Sequence, residues 1–430
     1  MLELDSGQPF DARQASEFFE ALPSRPGILL LEMQDVSAQP YLARTADIRR
    51  AAERLLRTPE TVSKRLNLRE VAAGIRYRVT GSKFEQTLAM YAQARKSFPH
   101  RYRDLMRLRP SAMLKVNLRN EYPRCYVTRQ IRADGGFYFG PFSSRRAAEA
   151  FSEAFLDLFK IRRCQIRIRR DPEFPGCIYS EMKMCLAPCF AGCSKQEYDV
   201  EVGRVLETLE TAGLFLTREI AGQREAASEA LDFEKAAALH KRLDKVSATL
   251  RGWGELTRRV EEIDAVILQR GAEDKTIVVF PVHAGTLAEP SFLRFGELSS
   301  EPKSVEGILR KVLEPQEDAV RQKSGRRTDS AETVQDSQPD PIANLPKPSA
   351  ESLGSPASYR EQYGLHAAPG ELAEHLSLLS RWFYSKPRDG EILFRDRGWP
   401  YRRILRACAR VLGAAATPSR TPKPSSRPGK

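Results

Sequence analysis

The sequence predicts an α+β protein assembled from several small domains, and three observations predict it. The chain has 430 residues, 41% apolar and 29% charged, enough for two or three globular cores. Its apolar spacing changes along the chain, from short runs of strand length to stripes of helical period and back to short runs. Between them, Ile161 to Ser194 packs five of the seven cysteines into a basic stretch. The divisions fall at 1–21, a polar lead; 22–108, a small α/β domain; 109–196, a basic cysteine-cluster subdomain; and 197–254, a helical region. A small β domain follows at 260–313, then a disordered linker at 314–358, a helical segment at 359–412 and a disordered basic tail at 413–430.

The lead is expected to carry one amphipathic helix around Ala15 to Ala21. Pro26-Gly27 introduces Ile28 to Glu32, and a polar turn leads to Pro40 to Ala43; the two apolar runs read as a hairpin. Asp47 is placed to cap a helix running through Leu56. A second helix over Thr80 to Lys96 puts Phe84, Leu88, Tyr91 and Arg95 on one face. Strand, strand, helix, strand, helix suits a small α/β domain.

Cys164, Cys177, Cys185, Cys189 and Cys193 are either disulfides or metal ligands. Met1 to Pro26 has no apolar core of a signal peptide, and no apolar run approaches membrane-spanning length. The expectation is a cytoplasmic chain whose thiols stay reduced and serve as ligands. Four thiolates suit zinc and an iron–sulfur cluster alike, although twelve, seven and three residues between the first four cysteines is not the paired spacing of a zinc ribbon. Such a centre would be structural, pinning a segment in which Arg162, Arg163, Arg167, Arg169 and Arg170 repel one another. With Arg145 and Arg146, these arginines are the candidate phosphate contacts. Tyr126, Phe137, Tyr138, Phe139 and Phe142 beside them are expected in the core. An excess of 69 basic over 56 acidic residues favours a polyanionic partner, most simply DNA.

Glu197 to Trp253 reads as helical and broken once, at Leu231-Asp232-Phe233. Val205, Leu206, Leu209 and Ile220 stripe the first helix. Asp232 caps the second, whose buried face is expected to hold Phe233, Ala236, Ala237, His240 and Leu243. Two helices bury little alone, so an apolar face left for a partner helix pair is the functional reading. Asp264 to Gln269, Thr276 to Val282 and Ser291 to Phe295 read as a β meander. Glu314 to Ser358, rich in Pro, Ser, Gln and acids, reads as a linker. In the last segment Leu372, Leu376, Leu379, Trp382 and Phe383 form a core stripe, while Arg402, Arg403, Arg406 and Arg410 lie on the final helix. The residues after Ala414 read as a disordered tail.

Several of these stretches resemble one family. Ile161-Arg162-Arg163-Cys164, then Cys177 followed by Cys185-Leu186-Ala187-Pro188-Cys189, is similar to the cysteine signature of the excision-repair protein family UvrC; Cys193 has no counterpart there. Tyr122-Pro123-Arg124, Val127-Thr128-Arg129 and Gly136 to Phe142 resemble the same family's run upstream, and Ala230 to Val246 resembles a UVR motif, by which UvrC and UvrB recognise each other. The resemblance covers roughly Leu22 to Leu298. It implies an iron–sulfur cluster, or zinc, on Cys164, Cys177, Cys185 and Cys189, and DNA and a UvrB-like protein as partners.

It also implies a GIY-YIG nuclease domain at 22–108, and there the chain departs from the pattern. The first motif tyrosine is Leu29, while Tyr41 keeps the second; the motif glycine is Ala43 and its lysine Arg44. The catalytic arginine falls on Ala51, beside Arg49, Arg50 and Arg54, and the metal-holding glutamate on Met90. Methionine cannot hold magnesium. Glu85, five residues away, lies about 500° round a helix and points elsewhere. The expectation is a nuclease fold without its chemistry or its divalent ion. One rival is a divergent endonuclease using Tyr41, Arg49 or Arg50 and Glu85. Another is a metal-binding adaptor whose hairpin serves a partner outside repair. The family's second, RNase H-like nuclease and its helix-hairpin-helix motifs find no counterpart in the sequence.

Overall fold

The structure, a computed structural model, describes residues 2–58, 66–296, 305–314 and 368–413. Helices and three antiparallel sheets mix along the chain, as an α+β reading requires. The linker at 314–358 and the tail from Ala414 lie outside the described residues, except Glu314.

The first sheet has the order β1 (Ser6–Pro9), β4 (Ala72–Val79), β2 (Gly27–Met33), β3 (Tyr41–Thr45). Alternation along β2 sends Ile28 and Leu30 to one face and Leu29 and Leu31 to the other. On the second face lie α1 (Ala15–Ala21) and α2 (Ile48–Leu56); on the first lies α3 (Lys83–Ser97), followed by the single turn α4 (Tyr102–Leu105). Asp47 caps α2 by accepting from the Arg50 amide at 3.0 Å, and Ser82 caps α3. The lead holds a strand as well as the expected helix. β1 is polar and takes its place only by pairing with β4, a long-range event that its own pattern does not announce.

The second sheet runs β6 (Cys125–Thr128), β5 (Ala112–Val116), β7 (Phe137–Phe142), β8 (Arg258–Arg259). It packs with α5 (Arg145–Leu156) and α7 (Lys195–Glu210) around one core, the short turn α6 (Ile178–Glu181) lying in the cysteine stretch between them. Phe137, Tyr138, Phe139 and Phe142 are buried, as their strand pattern predicts. The helical region breaks twice rather than once: α8 (Leu214–Glu229) and α9 (Phe233–Leu250) form the hairpin, and a further turn separates α7 from α8. There Gly213 adopts φ +90°, and its amide reaches back to the Thr208 carbonyl at 2.7 Å, ending α7. A Cβ on Gly213 would fall 2.3 Å from Leu250. The apolar stripe runs on across this turn, which is why periodicity hides it.

The third sheet has the order β11 (Thr286–Leu287), β10 (Thr276–His283), β9 (Ala265–Arg270), with β12 (Ser291–Arg294) also on β10. β13 (Glu391–Phe394) completes it on the far side of β9, register Leu393 to Val266. Its last helices are α10 (Val305–Leu313), α11 (Pro369–Phe383) and α12 (Tyr401–Gly413). The segment after 359 is therefore not wholly helical: Glu391 to Phe394 is too short for its pattern to distinguish strand from helix, and pairing with β9 decides. Leu372, Leu376, Leu379, Trp382 and Phe383 are buried in a core shared with α3 and β10. At the junction of the first and third sheets Gly81 meets Gly271 so closely that a Cβ on Gly81 would lie 2.1 Å from the Gly271 carbonyl carbon.

One charged site ties the helical region to the second sheet. Arg259, 2% exposed, pairs with Glu210 at 3.2 Å, Glu261 at 3.5 Å and Glu262 at 3.7 Å. Burial, with Glu262 and Glu207 nearby, pushes the Glu210 carboxyl up to about 7 against the opposing pull of Arg259. A carboxyl raised on folding favours the native state while protonated, so that contribution fades as pH rises through about 7. We expect the thermal midpoint to fall between pH 5 and 8, and Glu210→Gln to flatten that profile by about 1–3 kcal/mol. An unchanged pH profile in the variant would contradict the assignment.

Candidate functional site

The cysteine stretch is mostly loop, and its side chains tie it in place. Arg162, 6% exposed, donates to the carbonyls of Tyr122 at 2.7 Å, Cys164 at 3.3 Å and Ile166 at 2.9 Å. Asp171 donates its amide to the Cys189 carbonyl at 2.9 Å, and Arg170 donates to the Cys193 carbonyl at 3.0 Å. Tyr198 of α7, fully buried, accepts from the Arg162 amide and donates to the Pro123 carbonyl. Lys183, Ala187 and Ala191 adopt φ of 56°, 55° and 59°. Left-handed backbone at three residues other than glycine is costly and persists only where surroundings fix it.

Three of the motif cysteines act on the fourth through their charge. Burial pushes the Cys185 thiol up to about 11, and the neighbouring Cys164, Cys177 and Cys189 push it the same way. The Ala187 amide, 3.3 Å from its sulfur, opposes them. Burial pushes the Cys193 thiol up, and nearby Glu197 and Cys189 push it the same way against Arg170. Every one of the seven cysteines is a free thiol. Among the described residues no group of three or more Cys, His, Asp or Glu is placed to hold a metal ion. The four thiols are soft donors of the kind that zinc and iron–sulfur clusters take, but among the described residues they are not drawn into a ligand group.

The candidate phosphate contacts divide by burial. Arg162 is an internal tie, because its guanidinium is buried and its hydrogen bonds end on carbonyls. Arg163 is held by Asp157 at 2.8 Å and lies over the Tyr179 ring. Arg145 pairs with Glu149 at 2.6 Å. Arg146, Arg167 and Arg169 are exposed and, among the described residues, make no ion pair; Arg170 is exposed but engaged with Cys193. The sequence alone does not sort these arginines, since all seven sit in equally polar surroundings.

The hairpin face departs from its expected burial. Phe233 is 69% exposed and Leu231 beside it 71%; Ala237 and His240 are exposed, and Ala236 and Leu243 half-buried. Asp232 caps α9 as expected, accepting from Lys235 at 3.1 Å. The first turn of α9 simply extends beyond any element that could cover it, and burial begins at Val246. His240 faces Asp244 at 3.9 Å and no second histidine.

The nuclease-like positions sit in apolar packing on both faces of the first sheet. Leu29 and Ala51 are buried with Phe18, Phe19 and Leu22, and Tyr41 packs against that cluster. Met90, 6% exposed, lies on the opposite face among Leu88, Phe280, Leu372 and Leu376. Arg49 spends its guanidinium on the carbonyls of Leu22 at 2.8 Å and Glu20 at 2.9 Å. Arg50 is exposed beside Asp47. Glu85, 1% exposed, accepts from the Gly81 amide at 2.7 Å and lies 4.0 Å from Arg78; burial pushes its carboxyl up despite these partners. Tyr41 and Glu85 thus face opposite sides of the sheet, and the set Tyr41, Arg49, Arg50, Glu85 is not brought together.

The described residues also hold a site that the sequence did not single out. Glu374 of α11 accepts from Tyr91 at 2.6 Å, Tyr102 at 2.8 Å and Arg103 at 2.6 Å. Its partners stand more than 270 residues away in sequence, so no local pattern points to it.

Residues 112–208 match the family model described as UvrC/Cho excinuclease, middle domain, which spans β5, β6 and β7 of the second sheet, α5, the loops of the five clustered cysteines and most of α7. The UvrABC system protein C of Ruminiclostridium cellulolyticum is 31% identical over 190 residues, 44% of this chain and 31% of the relative. That of Dehalococcoides mccartyi is 25% identical over 292 residues, 66% of this chain and 47% of the relative. That of Oleidesulfovibrio alaskensis is 28% identical over 274 residues, 62% and 38% respectively. The chain therefore spans about a third to a half of the curated relatives it matches. No solved structure matches it. Among the described residues no helix is long and apolar enough to cross a membrane.

Proposed function

We propose that this chain, which is similar to UvrC proteins over part of its length, is a DNA-binding component of nucleotide excision repair that cuts nothing itself and docks a UvrB-type protein through its hairpin. The observation that carries the reading is the burial of Met90, Leu29 and Ala51. Where the resemblance calls for a carboxylate, a tyrosine and an arginine, this chain has three apolar side chains inside two cores. A magnesium ion needs oxygen ligands, and none of these side chains supplies one. A phosphodiester would have to displace Phe18 and Phe19 to reach Leu29. Docking is supported by Leu231 and Phe233, whose exposure gives a partner helix pair an apolar anchor at the hairpin tip.

Cys164, Cys177, Cys185 and Cys189 would hold an iron–sulfur cluster, or zinc as the second choice for the same four thiolates. Bound there, the group would supply a crosslink between loops that like charge pushes apart. Arg146, Arg167 and Arg169 are the cations left to meet phosphate.

The test is incision of a lesion-containing duplex with UvrA- and UvrB-type proteins and magnesium or manganese present. We expect no nick and a retarded UvrB–DNA complex, and expect Phe233→Asp to weaken that retardation at least tenfold with no loss of thermal stability. Nicking that disappears in Tyr41→Phe would overturn the reading.

A further inference from the structure

Ile178 is 62% exposed, Met182 61% and Ile166 45%. Three large apolar side chains stand in water on the cysteine loops, while Leu158, Phe159 and Ile161 just before them in the chain are buried. They are not strays on one flexible arm. Arg162 fixes the carbonyl of Ile166, Cys177 and Ser180 exchange hydrogen bonds at 2.9 and 2.6 Å at the start of α6, and the Arg163 guanidinium lies over Tyr179. The apolar tips are thus held outward by ties on their own backbone. Arg167 follows Ile166 and Lys183 follows Met182 in the chain, and both, with Arg169, are exposed. Between Ile161 and Ser194 six basic residues meet three acidic ones, Asp171, Glu173 and Glu181, a net of +3.

We infer that Ile178 and Met182 form a wedge that enters nucleic acid where base pairing is interrupted, with Arg167, Arg169 and Lys183 seating the flanking phosphates. Apolar side chains on a rigid turn can stand in for a stacked neighbour only if the step is already open or opens at small cost. Cations around the tips supply attraction without choosing a sequence. The combination selects by the state of the duplex, paired or unpaired, and favours a polyanion over a protein surface because the exposed cations Arg167, Arg169, Arg170 and Lys183 outnumber the exposed acids Asp171, Glu173 and Glu181. The inference rests on the DNA-binding reading above and adds to it a preference and the residues that set it.

The experiment compares full-length protein on two labelled DNAs of equal length, a matched duplex and the same duplex with a short central bubble, by fluorescence anisotropy at several salt concentrations. We expect the bubble to bind about tenfold more tightly, a difference of the size that base stacking on a side chain provides. Ile178→Ser with Met182→Ser should erase that preference while leaving matched-duplex affinity and thermal stability unchanged, since both side chains are solvent-exposed. Arg167→Ala with Arg169→Ala should weaken both DNAs alike and flatten the salt dependence. If the protein binds neither DNA at low salt, the DNA-binding reading and the wedge both fail. If it binds both equally, or if the serine pair retains the preference, the wedge alone fails. A serine pair that leaves DNA binding intact but releases a UvrB-type protein would make this surface a protein interface and overturn the inference.

Discussion

Met90→Glu lowers stability by about 3–5 kcal/mol and restores no nicking. Met90 is 6% exposed in the core that α3 shares with β10 and α11, so a carboxylate there would be buried among apolar side chains. An unpaired buried charge costs this much when the surroundings cannot supply a partner. The glutamate would escape the cost by taking up a proton, so its variant should lose stability as pH rises above neutrality. Urea denaturation at pH 5.5 and 8, followed by the incision assay with manganese, measures both halves. A variant with unchanged midpoint that nicks a duplex would mean that the face is open to solvent and the silent reading is wrong.

Glu374→Ala is expected to cost about as much, on the order of 3–5 kcal/mol, for the opposite reason. The carboxylate is 8% exposed and collects two buried tyrosine hydroxyls and one guanidinium. Burial pushes its carboxyl up, yet the hydrogen bonds from Tyr91, Tyr102 and Arg103 outweigh burial and hold it below the ordinary glutamate value. Removing it orphans Tyr91 and Tyr102 and unseats α11 from α3; the Arg103 share is small because that side chain is 64% exposed. Ser377 and Arg381, which donate to the carbonyls of Arg109, Met106 and Arg107, hold the rest of the helix. The depressed carboxyl also fixes the acid limit: its contribution is present above the ordinary glutamate pKa and is lost as pH falls through the native one. Amide exchange localised to α11 would report the release. Uniform protection across α11 in the alanine variant would show that Glu374 does not seat it.

Much of the first domain was legible in local sequence, because its signals are local. Asp47 and Ser82 cap the helices they precede, and β2 and β3 follow their apolar runs. The cysteines announced themselves by spacing; Cys164, Cys177 and Cys189 lie near enough to Cys185 to push its thiol up, yet among the described residues they form no ligand group. The arginines were legible only as a set: equal in sequence, they separate in space into the buried tie Arg162, the paired Arg145 and Arg163, and the open Arg146, Arg167 and Arg169. The hairpin face was misjudged as buried because periodicity reports that a stripe exists and not whether anything covers it. β1, the turn at Gly213 and β13 escaped for a related reason: a polar strand, a break inside a continuing stripe and a four-residue run have no distinctive period.

By itself, the sequence determined the cysteine spacing, the basic balance, the helix caps and the apolar identity of Leu29, Ala51 and Met90, where the resemblance would call for a tyrosine, an arginine and a glutamate, since each is a matter of which side chain stands where. Only the tertiary structure decided what became of those places. Long-range packing put Phe18 and Phe19 over one face of the first sheet and α3, backed by α11, against the other, closing both. The same packing left Phe233, Ile178 and Met182 in water. Which apolar side chains are covered depends on elements distant in the chain meeting in space, and no local pattern carries that information.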